Sequence, residues 1–214
     1  MDRAELAKGI RAVENRLGAF EDGTVGLVTG TGLGGLAQAL AEAQAMAAAD
    51  IPGFPRATAP SHAGRLARGT IGGRPVALLA GRLHLYEGHS PGDVAFGVRL
   101  LAGLGIKTLI LTNAAGALDP HFAAGGLMRI TDHINLTGNN PLRGDNDDRL
   151  GPRFPDMSRA YSPRLGAICD AAALSCGIRL ERGVYAGCSA RAWRRRPRPA
   201  CCAFWAPTPW ACPP

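Results

Sequence analysis

The sequence lacks a long uncharged apolar run, a secretory signal and a high density of charge. The most apolar stretch, residues 100–118, is interrupted by Lys107, which excludes an ordinary membrane span. The N-terminus mixes acidic and basic residues and has no apolar signal core, so we expect a cytoplasmic protein that does not contact a membrane. Because 46% of the residues are hydrophobic and only 19% are charged, the composition is that of a folded chain.

Metal-binding patterns are also lacking. The chain has six cysteines and five histidines, and their spacing fits no zinc site. Cys201 and Cys202 are adjacent, and no suitably spaced partners flank them. We therefore expect no metal.

The last 27 residues, 188–214, differ in composition from the rest. They hold all three tryptophans, four of the six cysteines and six of the sixteen prolines. Five arginines there, without an acidic residue, supply most of the net charge of +7, so residues 1–187 carry only about +2. That small charge makes nucleic-acid binding by residues 1–187 an unfavoured function. We predict an α/β domain over residues 1–187 and an aberrant, disordered tail over 188–214.

Residues 1–187 alternate between helix and strand patterns. This alternation predicts a single α/β domain with a central mixed, partly parallel sheet flanked by helices. Ser90 and Pro91 are a typical helix start, and Gly72-Gly73 is a typical hairpin turn. The predicted helices cover residues 2–17, an alanine-rich stretch ending near 49, 90 to about 103–105, and 162–176. The predicted strands cover residues 24–29, 67–80 as a hairpin, 107–112, 127–134 and 183–187.

A glycine-rich segment follows the first predicted strand. Gly30, Gly32 and Gly35 match the spacing of a dinucleotide-binding fingerprint, and Asp50 lies about twenty residues further on. The broader interpretation is a phosphate held by backbone N–H groups, with the Thr31 hydroxyl as a further donor. A glycine-rich turn without a ligand is the third possibility.

Two further segments follow predicted strands. Arg82, His84 and Tyr86 alternate, so an extended chain would place them on one face, where a cation, an imidazole and a phenol suit an oxyanion. The alternative is a polar edge strand. Asn113 begins a run of small residues that would let a ligand approach the backbone, or that simply forms a tight turn. His62 lies in a loop and indicates little by itself.

Taken together, residues 20–187 resemble the trimeric class of purine nucleoside phosphorylases. The resemblance rests on five segments in the family's order. They are Gly-Arg-Leu-His-Leu-Tyr-Glu-Gly (81–88), Thr-Asn-Ala-Ala-Gly (112–116), Asp-His-Ile-Asn-Leu (132–136), Asn-Pro-Leu-Arg-Gly (140–144) and Arg-Phe-Pro-Asp-Met-Ser (153–158).

The resemblance implies a nucleoside phosphorylase-like fold and a homotrimer. It also implies phosphorolysis of purine ribo- or deoxyribonucleosides to free base and the sugar 1-phosphate, a purine salvage reaction. Orthophosphate is then a co-substrate, and no cofactor is needed.

Site residues follow from the same resemblance, and His84 is the expected catalytic residue. Phe154 is expected to reach the site of a neighbouring subunit. The expected phosphate-binding residues are Thr31, His62, Arg82, His84 and Ala114. The expected nucleoside-binding residues are Tyr86, Asn113, Tyr185 and Phe154.

The tail departs from the family, whose corresponding strand continues into Gly-Pro-Ser-x-Glu-Thr and later into Leu-Gly-Ala-Asp-x-Val-Gly-Met-Ser-Thr. Read one base earlier, codons 188–214 can encode both segments. Trp205-Ala206 and Trp210-Ala211 then force glycines five positions apart, as in the family's second segment. We therefore predict a frame-shifted tail, missing C-terminal elements and impaired or absent activity.

Two alternatives remain open. One is a non-catalytic descendant whose basic tail binds nucleic acid or an acidic partner. The other is a dinucleotide-dependent oxidoreductase, which leaves Arg82, His84 and Tyr86 without a role.

Overall fold

The computed structural model describes residues 3–30, 33–56, 64–188 and 210–212. The chain divides into two compact units, Met1–Ala114 and Ala115–Pro214. Across the described ranges, no helix is long and apolar enough to cross a membrane.

The described residues of the first unit form three α-helices and five strands. Its N-terminal helix buries Leu6, Val13 and Leu17 on one face, as the amphipathic pattern predicts. The helices are α1 (Arg3–Leu17), α2 (Pro91–Val94) and α3 (Phe96–Gly103). The strands are β1 (Val25–Thr29), β2 (Ala41–Ala47), β3 (Arg65–Ile71), β4 (Arg74–Ala80) and β5 (Thr108–Leu111).

The five strands form one mixed sheet in the order β2-β3-β4-β1-β5. Strand β1 is parallel to both β4 and β5, whereas β3 is antiparallel to β2 and β4. Gly72 and Gly73 connect β3 to β4 with φ angles of +56° and +74°, which a two-residue hairpin loop requires. The predicted hairpin and the mixed, partly parallel sheet are confirmed.

Apolar side chains cover both faces of this sheet. In β4, Ala77 and Leu79 face α1 and α3 in the larger cluster, while Val76 and Leu78 join a smaller one. This alternation has the period of two that a strand imposes. Phe96, at the start of α3, is 1% exposed and packs in the larger cluster.

The alanine-rich helix predicted to end near residue 49 is wrong. Gly34–Ala39 form a short 3₁₀ helix, and the next residues form the strand β2. Alanine favours helix only weakly, and pairing with β3 together with burial of Met46 outweighs that preference. Glu42, with φ of +54°, lies where the pairing of β2 with β3 shifts register.

In the second unit, the part of the chain that the structure describes forms a four-stranded sheet and one α-helix. Its elements are β6 (Gly116–Ala117), β7 (Leu127–Leu136), α4 (Pro163–Ser175), β8 (Leu180–Cys188) and β9 (Trp210–Cys212). The strand order is β6-β9-β8-β7, and β7 is parallel to β8. Within the tail, the structure describes Cys188 and the three residues of β9, and the boundary at residue 187 stays a prediction.

Charge pairs attach α4 to its sheet. The Asp170 carboxylate on α4 accepts hydrogen bonds from Nε and Nη2 of Arg129 on β7, at 2.8 and 3.0 Å. Nη2 of Arg182 on β8 donates to the same carboxylate at 2.8 Å. Ser162 caps the helix by accepting a hydrogen bond from the Leu165 N–H, which confirms the predicted helix start.

Candidate functional site

Three parallel strands of the first unit end at the same edge of the sheet. Strand β1 lies between β4 and β5, with Thr29 opposite Ala80 and Val28 opposite Leu111. The residues after each strand are therefore neighbours, although they lie far apart in sequence. This edge is where open α/β sheets bind their ligands.

Thr112 joins the ends of all three strands. Its Oγ1 accepts a hydrogen bond from the Gly30 N–H at 3.1 Å and donates to the Val28 carbonyl at 3.2 Å. Its own carbonyl oxygen accepts a hydrogen bond from Nη1 of Arg82 at 2.5 Å. The glycine-rich loop after β1 and the arginine after β4 are thus both attached to one residue after β5.

Gly30 has no room for a side chain. A Cβ built on it would lie 2.8 Å from the Thr112 carbonyl oxygen, 3.0 Å from Asn113 Cα and 3.2 Å from Nη2 of Arg82. Two of these three atoms are backbone and cannot easily move aside. A glycine here therefore lets the loop, the cation and the end of β5 converge.

His84 and Tyr86 meet in a way that the alternating pattern did not predict. The chain is not extended here, because Leu85–Glu87 form a short 3₁₀ helix closed by a hydrogen bond from the His84 N–H to the Glu87 carboxylate at 3.1 Å. The two rings nevertheless stack, with centroids 4.7 Å apart and planes inclined by 15°.

The Tyr86 phenol is partly buried and lies near one acidic and one basic side chain. Burial raises its pKa and the Glu87 carboxylate adds to the increase, whereas the Arg82 guanidinium opposes it. The phenol therefore stays neutral near pH 7 and can donate a hydrogen bond. The side chain is 59% exposed, so it is accessible to a ligand.

The remaining predicted residues of the first unit are Asn113, Ala114, Thr31 and His62. Asn113 and Ala114 directly follow Thr112 and are half-buried, and the Asn113 amide donates to the Ala114 carbonyl at 3.1 Å. Thr31 and His62 lie outside the described residues.

Tyr185 and Phe154 belong to the second unit. Tyr185 lies on β8 opposite His133 of β7, and both residues line a cavity of about 290 Å³ together with Asn135 and Cys188. Phe154 lies in the long connection between β7 and α4 and is 87% exposed. A phenylalanine this exposed is unusual for a side chain that normally favours burial.

The glycine spacing does not correspond to a dinucleotide-binding unit. Such a unit needs its third glycine for close packing between helix and strand. A Cβ built on Gly35 meets no atom within 4 Å. Asp50 follows a strand that is antiparallel to its neighbour β3, whereas the dinucleotide motif places its acid after a second parallel strand.

Sequence reasoning did not identify the role of Thr112. Thr112 ends a predicted strand and begins one of the family segments, and neither pattern predicts its hydrogen bonds to Gly30 and Val28. The available signal is its position, since a hydroxyl residue immediately after a predicted strand can bond to backbone groups at the strand end.

Comparison with known proteins identifies the family. Residues 24–196 match the model of the Phosphorylase superfamily. The chain is 48% identical over 161 residues to purine nucleoside phosphorylase 1 of Geobacillus stearothermophilus, an alignment that covers 75% of this chain and 59% of that protein. It is 50% identical over 140 residues to the purine nucleoside phosphorylase of Bos taurus, covering 64% of this chain and 48% of the relative.

The fold has a close match among solved structures. Isoform 2 of purine nucleoside phosphorylase from Schistosoma mansoni, crystallised with cytosine and ribose-1-phosphate, superposes with a TM-score of 0.80 at 33% identity. The match covers 86% of this chain and 66% of that one. The chain thus spans between about half and three-fifths of the length of these curated relatives.

Proposed function

This chain belongs to the phosphorylase superfamily, and we propose that its site serves the phosphorolysis of purine nucleosides. In that reaction a phosphate oxygen bonds to C1′ of the sugar as the bond from C1′ to the purine nitrogen breaks. The electron pair leaves with the purine, which takes up a proton, and the products are free base and ribose 1-phosphate. Deoxyribonucleosides react in the same way.

One observation carries the proposal: the Gly30 N–H, the Arg82 guanidinium and the residues after β5 converge at one sheet edge. A guanidinium has five N–H donors, so a bond to a backbone carbonyl and a contact with an anion are compatible. Arginine also matches the bidentate geometry of phosphate. Names of relatives that are 48% and 50% identical support the same chemistry.

In this proposal the phosphate is held by Arg82 and His84 with Thr31, His62 and Ala114. The transition state of such a reaction has an oxocarbenium-like sugar, so an enzyme gains most by fixing the phosphate dianion below C1′. His84 is the proposed catalytic residue, and its stacking on Tyr86 limits the orientations of its ring.

The nucleoside is assigned to Tyr86, Asn113, Tyr185 and Phe154. Tyr86 is neutral and exposed, which suits a hydrogen bond to a ribose hydroxyl. The exposure of Phe154 fits a side chain that completes the site of a neighbouring subunit in a homotrimer. Orthophosphate is the co-substrate, and the reaction needs no organic cofactor or metal.

The test compares two proteins. The first is the 214-residue chain, and the second is the product of the same gene with one base restored before codon 188. We expect the 214-residue chain to bind inorganic phosphate but to release hypoxanthine from inosine very slowly. The restored chain should release hypoxanthine only when phosphate is present.

Three outcomes of this test would contradict the proposal or one of its expectations. Release of hypoxanthine without phosphate would indicate hydrolysis and overturn the proposal. Failure of both proteins to bind phosphate in calorimetry would also overturn it. Ordinary phosphorolysis by the 214-residue chain would support the reaction but refute our expectation that residues 188–214 lack what catalysis needs.

A further inference from the structure

We infer that Thr112 is a positioning residue that preorganises the proposed phosphate site through Gly30. The inference rests on the proposed function, because it concerns the same anion site. Thr112 itself is not among the residues proposed to touch phosphate or nucleoside.

Thr112 uses its side chain and its backbone for different partners. The side-chain oxygen accepts from the Gly30 N–H, and the backbone carbonyl accepts from Arg82. Gly30 precedes Thr112 by 82 residues, and Arg82 precedes it by 30. One residue therefore sets the distance between the start of the glycine-rich loop and the arginine proposed to hold the anion.

The hydroxyl group is held in a single orientation. It has one hydrogen, and that hydrogen is donated to the Val28 carbonyl at 3.2 Å. A lone pair is therefore directed at the Gly30 N–H, which fixes the backbone where the glycine-rich loop begins. A Gly30 backbone that is already fixed need not be ordered when phosphate binds, and such preorganisation increases affinity.

Replacing the hydroxyl by a methyl group would isolate this effect. In Thr112→Val the Val28 carbonyl keeps its hydrogen bond from the backbone N–H of residue 112, at 3.0 Å in the wild type. The Arg82 contact also stays, because its acceptor is the backbone carbonyl of residue 112. Only the Gly30 N–H loses its acceptor. The phosphate affinity should therefore decrease without removal of the cation.

The experiment uses inorganic phosphate and the 214-residue chain. We would measure the Kd by calorimetry for the wild type, Thr112→Val, Thr112→Ser and Thr108→Val. Thr108 begins the same strand, opposite Val25 at its far end, and provides a matched control. Hydrogen exchange of the Gly30 amide would be followed without phosphate, and thermal melting would establish that each variant is folded.

We expect the Kd of Thr112→Val to rise about tenfold and its Gly30 amide to exchange faster. Thr112→Ser, which keeps the hydroxyl, should stay within about twofold of wild type, and so should Thr108→Val. A purely structural role would lower the melting temperature without this selective loss of phosphate affinity.

Two results would overturn the inference while leaving the proposed function intact. One is a folded Thr112→Val variant that binds phosphate as the wild type does. The other is loss of affinity in Thr112→Ser equal to that in Thr112→Val. If the valine variant does not fold, unchanged Gly30 exchange and affinity in Thr112→Ala would refute the inference instead. Failure of the wild type to bind phosphate would overturn the proposed function and this inference with it.

Discussion

Substituting Gly30 by alanine tests whether the close packing of the ends of β1, β4 and β5 is needed for stability and for phosphate binding. The new Cβ would lie 2.8 Å from the Thr112 carbonyl oxygen and 3.0 Å from Asn113 Cα, whereas ordinary contacts begin at 3.4 Å. Overpacking of this kind costs about 1–3 kcal/mol in stability. If the end of β5 moves away, the hydrogen bond from Gly30 to Thr112 is lost as well, at roughly 0.5–1.5 kcal/mol.

The same displacement should weaken phosphate binding. Since every 1.4 kcal/mol is about tenfold in affinity, we expect Gly30→Ala to raise the Kd for phosphate by about tenfold or more. Calorimetric titration with inorganic phosphate measures the Kd, and urea unfolding measures the loss of stability.

The chain offers a matched control five residues further on, at Gly35 in the short 3₁₀ helix. A Cβ on Gly35 meets nothing within 4 Å, and its φ lies outside the left-handed region. Gly35→Ala should therefore leave phosphate binding unchanged and keep or slightly increase stability, by up to about 1 kcal/mol. Wild-type affinity and stability in Gly30→Ala, or loss of affinity in Gly35→Ala, would refute the steric reasoning.

Two further predictions concern Arg82 and the start of α2. Arg82→Ala should weaken phosphate binding by about 1.5–3 kcal/mol, the contribution of a charged hydrogen bond, and equal titration curves for variant and wild type would contradict this. Ser90→Ala should lower the free energy of unfolding by about 1 kcal/mol, because Ser90 Oγ accepts from the Asp93 N–H at 3.2 Å. The hydrogen bond from the Ser90 side chain also lowers the Asp93 pKa below 3.8, so this stabilisation is complete above pH 3.8 and is lost as the pH falls through the folded-state pKa. Urea unfolding between pH 2 and 6 should therefore show a weaker acid dependence in Ser90→Ala, and identical profiles would refute the assignment.

The packing around the glycines, and not their spacing in the sequence, argues against the dinucleotide-binding alternative. The letters of Gly30, Gly32 and Gly35 fit that fingerprint, but the fingerprint describes a strand, a tight turn and a helix packed closely against the sheet. Here the segment after the turn is a single short 3₁₀ helix, and open space surrounds Gly35. The tight contact occurs instead at Gly30, against backbone atoms at the end of β5. Gly30 therefore allows the ends of β1 and β5 to approach each other closely.

The elements with strong local signals could be predicted from the sequence. The Ser90-Pro91 helix start, the Gly72-Gly73 hairpin and the amphipathic α1 are each determined by neighbouring residues, and each is confirmed. The alanine-rich segment was assigned wrongly because its strand β2 exists only through pairing with β3. Such pairing depends on residues 18 to 29 positions away, and helix propensity contains no information about it.

The candidate site depends on strand order, which local patterns do not specify. Each strand end was found from its own segment, but nothing local places β1 between β4 and β5. One signal was available in Gly26, inside β1. A Cβ there would lie 2.5 Å from Leu109 Cδ2 and 3.1 Å from a methyl group of Ile106, so the Leu109 side chain would have to shift if another residue replaced this glycine. Glycine within a strand often marks such close approach.

Gly26 therefore contributes to the site without belonging to it. The missing side chain leaves space for Leu109, which pairs with Gly26 in the parallel register of β1 and β5. That register continues through Val28 opposite Leu111 and brings Thr112 beside Gly30. A slip by one residue would turn every side chain of β5 to the other face and separate the Thr112 hydroxyl from the Gly30 N–H. Gly26 thus favours the register on which the geometry proposed to hold phosphate depends, although it lies four residues before Gly30.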